Sequence, residues 1–167
     1  MRLRTYDPAD ADLVIALNQG ALDAVTPLDR SGLDRLVDQA EEVTIVETDG
    51  SEGCSTVAGF AVVLAPGRAY ASRNYAWFGE RYRDFRYLDR IVVAPAHRRR
   101  GVGTLLYQHL EEAAQLAGRL TCEVYSEPPN VGSLAFHAAR GYLDVGRLEQ
   151  LGGTVCTMFA KELSPAR

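Results

Sequence analysis

The chain has 167 residues, 47% of them hydrophobic, and a formal charge of −4. That is enough apolar material for one buried core, and too acidic a balance for a generic nucleic-acid binder. No stretch approaches the roughly 18 consecutive apolar residues of a membrane span, and the N-terminus, with Asp7, Asp10 and Asp12, has no apolar signal region. One cytoplasmic domain over residues 1–167, with no membrane or nucleic-acid partner, is therefore expected. Cys54, Cys122 and Cys156 form no close pair, so they read as reduced, packed thiols and neither a disulfide framework nor a metal site is expected.

Arg2 to Tyr6 alternates like an edge strand, and Asp7-Pro8 supplies an N-cap followed by proline at the first helical position. Leu13, Val14, Leu17, Ala21 and Ala24 make the apolar stripe of the helix that follows, with the amides Asn18 and Gln19 beside it. Thr26-Pro27 breaks this helix, and Asp29 or Ser31 can cap a second one carrying Leu33, Leu36 and Val37. Val43–Glu47 and Thr56–Leu64 read as two strands joined by the turn Thr48–Gly53.

Residues 66–86 have no clean period. Half of the chain's aromatic residues fall between Tyr70 and Tyr87, interleaved with Arg73, Arg81, Arg83 and Arg86. Asn74 to Arg81 has room for a helical turn. A long irregular connection inside a small domain is more often functional than idle. Three uses compete for it: an acceptor pocket walled by residues such as Tyr75 and Trp77, the interface of a homodimer, or, least favoured, a surface for stacking bases.

Tyr87 to Pro95 reads as a central strand, alternating around Asp89 and then running Ile91-Val92-Val93. A basic glycine turn follows, Ala96-His97-Arg98-Arg99-Arg100-Gly101-Val102-Gly103-Thr104. A helix comes next, with Val102, Leu105, Leu106, Leu110, Ala113, Ala114 and Ala117 on one stripe and Gly118 as its stop. The charges sit on the wrong end of the helix. Each cation at the positive end of a helix dipole costs roughly 0.3–1 kcal/mol unless an anion answers it. Unpaired N–H groups, two glycines and bidentate guanidiniums describe a phosphate or pyrophosphate cradle, the alternative being a solvated basic turn. A nucleotide P-loop lacks its lysine here, and the dinucleotide fingerprint fails at Leu106.

Leu120 to Tyr125 is a further buried strand, parallel to the central one because the intervening helix serves as the crossover. Asn130 caps a helix through Ser133, Phe136 and His137 that stops at Gly141. Tyr142–Gly146 and Thr154–Ala160 close the sheet as an antiparallel pair. The sheet is therefore expected to be mixed.

The run Arg98-Arg99-Arg100-Gly101-Val102-Gly103, after a strand ending in Val-x-Pro, resembles the acyl-CoA-binding motif of the GNAT superfamily of N-acyltransferases, Arg/Gln-x-x-Gly-x-Gly/Ala. Asn130, Ser133 and the Gly141-Tyr142 ending resemble the family's last helix. The resemblance implies an α/β (α+β) fold: a mixed, mostly antiparallel twisted sheet of about seven strands with a central parallel pair, flanked by about four helices. It implies an acetyl-CoA-dependent N-acetyltransferase that acts on a primary amine of a small molecule, amino acid or peptide. A non-catalytic acyl-CoA-binding module is the rival reading.

By the same resemblance, Arg98 to Thr104 should hold the pyrophosphate, and Asn130, Ser133 and Phe136 should border the CoA arm. An irregularity in the central strand should turn a backbone N–H of Ile91, Val92 or Val93 toward the thioester as oxyanion donor, and Asn18 should border the acceptor, the alternative being an ordinary exposed amide beside Gln19. His137 departs from the pattern, standing where many relatives carry a proton-donating tyrosine. It reads as a general acid, as a hydrogen bond to the cofactor, or as a satisfied structural histidine. Asp89 is the first choice for the base and Glu123 the second, each with the alternative of a pairing to an arginine such as Arg90 or Arg86. No covalent intermediate is expected.

Overall fold

A computed structural model describes residues 1–49 and 55–164. Of the expected turn Thr48–Gly53, Thr48 and Asp49 belong instead to the strand before it, and its remainder, 50–53, lies with Cys54 outside the described residues. Seven strands form one sheet, β1 (Arg2–Thr5), β2 (Glu42–Asp49), β3 (Ser55–Leu64), β4 (Arg86–Val93), β5 (Arg119–Glu127), β6 (Leu143–Glu149) and β7 (Val155–Glu162). Their order is β1-β2-β3-β4-β5-β7-β6, and all neighbours are antiparallel except β4 and β5. Among the described residues five α-helices accompany it, against about four expected: α1 (Ala11–Gln19), α2 (Arg30–Gln39), α3 (Arg73–Gly79), α4 (Val102–Ala113) and α5 (Val131–Ala139).

The strands in the middle are apolar on both sides because both faces are covered. From β3, Phe60, Val62 and Leu64 join one core with Val14, Leu33, Leu36 and Phe78. Ala58, Ala61 and Val63 join the other core with Val102, Leu106 and Leu110. Local chemistry sets the helix starts. The Asp7 carboxylate accepts from the Ala9 N–H, Asp29 caps α2 through the Gly32 N–H, and Asn130 caps α5 through the Ser133 N–H. Leu13 and Ala24 depart from the expected stripe and are exposed, and α1 ends at Gln19, before Ala21, Ala24 and the expected break at Thr26-Pro27.

The additional helix lies in the aromatic stretch. Tyr75 and Phe78 of α3 are buried with Phe85 and Tyr87, and their rings meet at centroid separations of 5.5–6.4 Å. None of these four rings is free to stack on bases or on a second chain. Burial in the core, a use beyond the three expected ones, takes them.

Gly59 of β3 faces Val93 of β4. A Cβ at Gly59 would stand 2.6 Å from the Val92 carbonyl oxygen and 3.3 Å from both the Val93 Cα and a Val102 methyl. Backbone cannot step aside as a flexible side chain can, so Gly59→Ala is expected to cost about 1–3 kcal/mol. Urea unfolding checks this: a midpoint equal to wild type would show that β4 and the start of α4 give way freely.

Candidate functional site

The parallel pair β4/β5 holds for only two positions, Arg86 with Leu120 and Tyr87 with Thr121. Beyond them the strands part, and a cavity of about 300 Å³ opens between Leu88–Ile91 on one side and Cys122–Tyr125 on the other. Tyr87, segments 24–26 and 70–74, and Tyr107, Asn130, Ser133, His137, Gln150 and Cys156 complete its wall. The irregularity of β4 falls at Asp89, where the register with β3 shifts between Val62 and Val63, two residues before the expected Ile91–Val93. The Ala94 N–H donates to Ala58 O at 2.9 Å. Alternation along the strand then turns the Val92 N–H toward β3 as well, and those of Ile91 and Val93 toward the gap. Of the three, Val92 is therefore not an available donor.

Arg98, Arg99 and Arg100 are exposed, and among the described residues no carboxylate lies within ion-pair distance of any of them. Arg99 has φ 58° and Gly101 φ 85°, a pair of left-handed residues that gathers backbone N–H groups into a concavity. The N–H groups of Val102, Gly103 and Thr104 open α4 and have no intrahelical partner. Nothing lies within 4 Å of the place a Cβ would take at Gly103. Open space, bare donors and three uncompensated guanidiniums meet at one turn, which is what a diphosphate needs.

Asp89 is tied on both oxygens. The Tyr70 hydroxyl donates to Oδ1 at 2.5 Å and Arg90 Nε donates to Oδ2 at 2.7 Å, with both ion-pair side chains only 6% exposed. Arg90 also donates to Asn18 Oδ1 at 2.9 Å, and Asn18 Nδ2 donates to Thr26 O at 2.9 Å. Burial works against the Arg90 charge, but Asp89 more than offsets it and the guanidinium pKa is raised. Burial and the adjoining Asp89 charge likewise raise the Tyr70 hydroxyl. Asp89 is therefore a paired strand carboxylate, the alternative it carried in the sequence. Asn18 is fully buried and braces Arg90 from behind, outside the cavity wall.

Glu123 has the opposite environment. Its Oε1 accepts from Asn74 Nδ2 at 2.7 Å and from the Tyr87 hydroxyl at 2.9 Å. Its Oε2 is buried with no partner among the described residues. Desolvation first, then the nearby Asp89 charge, push its pKa up to about 8. Gln150, in the β6–β7 connection, donates to Asn74 Oδ1 at 2.8 Å. A chain of hydrogen bonds thus runs from that connection to the carboxyl group. Of the two carboxylates it is Glu123, and not Asp89, that keeps an oxygen without a partner among the described residues.

His137 is 3% exposed. Its Nδ1 lies 2.7 Å from Ser133 O and its Nε2 lies 2.5 Å from the Tyr107 hydroxyl. A carbonyl only accepts, so Nδ1 carries the proton and Nε2 accepts from Tyr107. Burial also lowers the imidazole pKa. His137 is the satisfied histidine among its three readings and has no proton free for a leaving group. Tyr107, omitted from the stripe expected of α4, was the missed member of this pair.

The other expected acceptor residues also lie off the wall. The Tyr75 hydroxyl donates to Ala65 O at 2.7 Å, while Trp77 packs on Phe78, under the Arg81 guanidinium and against Gly146. Phe136 packs on Tyr107, with ring centroids 5.1 Å apart. Cys122 and Cys156 are free and buried, and desolvation holds both thiols up, that of Cys156 to about 12. Neither is a ready nucleophile.

No described helix is long and apolar enough to cross a membrane. No curated protein matches the chain. Among solved structures, Arabidopsis thaliana NAA60 in complex with a bisubstrate analogue aligns over 99% of each chain, with TM-score 0.77 and 13% identity. The ribosomal-protein-S18-alanine N-acetyltransferase of Escherichia coli aligns over 99% of this chain and 96% of its own, with TM-score 0.69 and 18% identity. Salmonella typhimurium yncA, solved with its cofactor acetyl-CoA, aligns over 100% and 96%, with TM-score 0.70 and 18% identity. At these identities the likeness is one of fold. The sequence profile of the acetyltransferase (GNAT) family matches residues 18–142, and the chain belongs to that family.

Proposed function

We propose that the protein transfers an acetyl group from acetyl-CoA to a primary amine of a small molecule, amino acid or peptide, directly within a ternary complex. One observation carries the reading. A buried carboxyl group with an oxygen unpartnered among the described residues, Glu123 Oε2, belongs to the wall of the cavity between β4 and β5, and the chain of β4 itself runs on into the bare cationic turn at Arg98–Thr104. Acetyl-CoA, when bound, supplies an activated acyl group. Arg98 to Arg100 and the N–H groups of Gly101 to Thr104 hold its pyrophosphate, and Asn130, Ser133 and Phe136 border its arm.

The Ile91 and Val93 N–H groups stabilise negative charge on the carbonyl oxygen. Glu123 takes the proton that the amine loses as its nitrogen bonds to the acyl carbon. The carbon–sulfur bond breaks and the CoA thiolate leaves, to be protonated from solvent. The raised thiols of Cys122 and Cys156 favour direct transfer over an acyl-cysteine.

Purified protein is expected to release CoA from acetyl-CoA only when an amine from a broad panel is present. Quenched-flow digestion and mass spectrometry should find no acetylated enzyme. An acetyl-enzyme competent to pass its group to the amine would overturn direct transfer, and stoichiometric acetyl-CoA binding without turnover on any amine would favour the non-catalytic module.

A further inference from the structure

The charges lining the cavity do not balance. Asp89 and Arg90 cancel one another within the wall. Tyr70, Ser72, Asn74 and Gln150 are neutral, and Glu123, with its pKa near 8, is mostly protonated at pH 7. Arg73 remains. It lines the cavity from α3, is exposed, and has no carboxylate within ion-pair distance among the described residues. Of the other arginines of the same stretch, Arg81 meets Glu80 and Arg86 meets Glu41, while Arg83, which also has no carboxylate partner among the described residues, does not line the cavity. The next residue after Arg73 is Asn74, whose amide is bonded to Glu123. One short segment therefore presents an unanswered cation and orients the carboxyl group beside it.

We infer that the acceptor is a small amine carrying its own carboxylate, of the free amino-acid type, with Arg73 binding the carboxylate while Glu123 faces the amine. This deepens the acetyltransferase reading and rests on it. A cavity of about 300 Å³, which the proposed transfer would require to hold the thioester end as well, suits a small acceptor better than a long peptide. A guanidinium is matched to a carboxylate in a two-point hydrogen-bonded contact.

The test uses matched acceptors: L-alanine, L-methionine and L-glutamate, the α-amide of each, and a dipeptide beginning with each residue. CoA release is followed with wild type, Arg73→Ala and Arg73→Lys. Calorimetry measures binding of the N-acetyl amino acids and of their amides to the CoA-loaded protein. Wild type is expected to favour at least one free acid over its amide by about 10- to 100-fold in kcat/KM. Arg73→Ala should erase that preference through KM with kcat little changed, and Arg73→Lys should fall between. Amides or dipeptides used as well as free acids would overturn the inference and leave the transferase reading intact. Absence of turnover on every amine, with the N-acetyl acids still bound in an Arg73-dependent way, would sink the transferase reading and keep the anion site. Binding that is absent, or equal for acid and amide, in a protein without turnover would overturn both.

Discussion

Glu123→Gln is expected to lower kcat about 10²- to 10⁴-fold, the range of a lost general base, with acetyl-CoA affinity within threefold of wild type. Gln keeps the oxygen that accepts from Asn74 and Tyr87, so the cavity wall should survive the change. The pH profile separates loss of a base from loss of shape. A base must be ionised to act, so with a pKa near 8 the wild-type kcat/KM should rise through about pH 8. The variant should follow the acceptor amine alone.

Stability supplies a second readout. Unfolded, the carboxyl group titrates near its ordinary 4.5; folded, near 8. Between those values the native state binds more protons than the unfolded one, so the Glu123 contribution to stability falls as pH rises through that window. Wild type should therefore lose stability relative to Glu123→Gln between pH 5 and pH 8.5, by a few kcal/mol at about 1.4 kcal/mol per pKa unit. Activity retained within threefold would remove Glu123 as the base. Asp89→Asn is not an equivalent control, since it leaves Arg90 buried without its counter-charge and should cost about 3–5 kcal/mol of stability.

Features that depend on neighbours in sequence were legible from residues alone. Asp7-Pro8, Asp29 and Asn130 start their helices as expected, because a cap is satisfied two or three residues away. The parallel pair followed from one helix between two apolar strands, and the cationic turn from three arginines before two glycines. What residues alone left open depends on distant partners. Asp89 ranked first as base because sequence does not show that Tyr70 and Arg90 occupy both of its oxygens, nor that Asn18, 72 positions away, braces Arg90. Glu123 ranked second because its depth is set by where β4 and β5 part. The aromatic stretch had room for a helical turn at Asn74–Arg81, and α3 forms there over Arg73–Gly79; its buried face was signalled only by the step of three from Tyr75 to Phe78. His137 stayed open among its three readings in the sequence because the partners of its two nitrogens, Ser133 O and the Tyr107 hydroxyl, depend on how α4 packs on α5.

The cationic turn allows a sharper test than its arginines alone provide. Gly103→Leu is expected to abolish measurable acetyl-CoA binding, a loss of at least 100-fold by calorimetry, while the fold stays as stable as wild type or gains up to about 1 kcal/mol. A Cβ at Gly103 meets nothing within 4 Å, and leaving glycine at an early helical position improves helix propensity by up to about that amount. The same side chain would fill the space over the bare N–H groups that a pyrophosphate must approach. Gly101 is the poorer probe, since φ 85° strains any other residue there by roughly 1–2 kcal/mol and would confuse binding with folding. Replacing Arg98 and Arg100 together by alanine removes two charged donors without filling the space. Binding should then weaken by about 10- to 100-fold for each lost contact and grow less sensitive to salt. Should Gly103→Leu bind acetyl-CoA like wild type, the pyrophosphate does not lie at the start of α4, and the three arginines are a solvated basic turn.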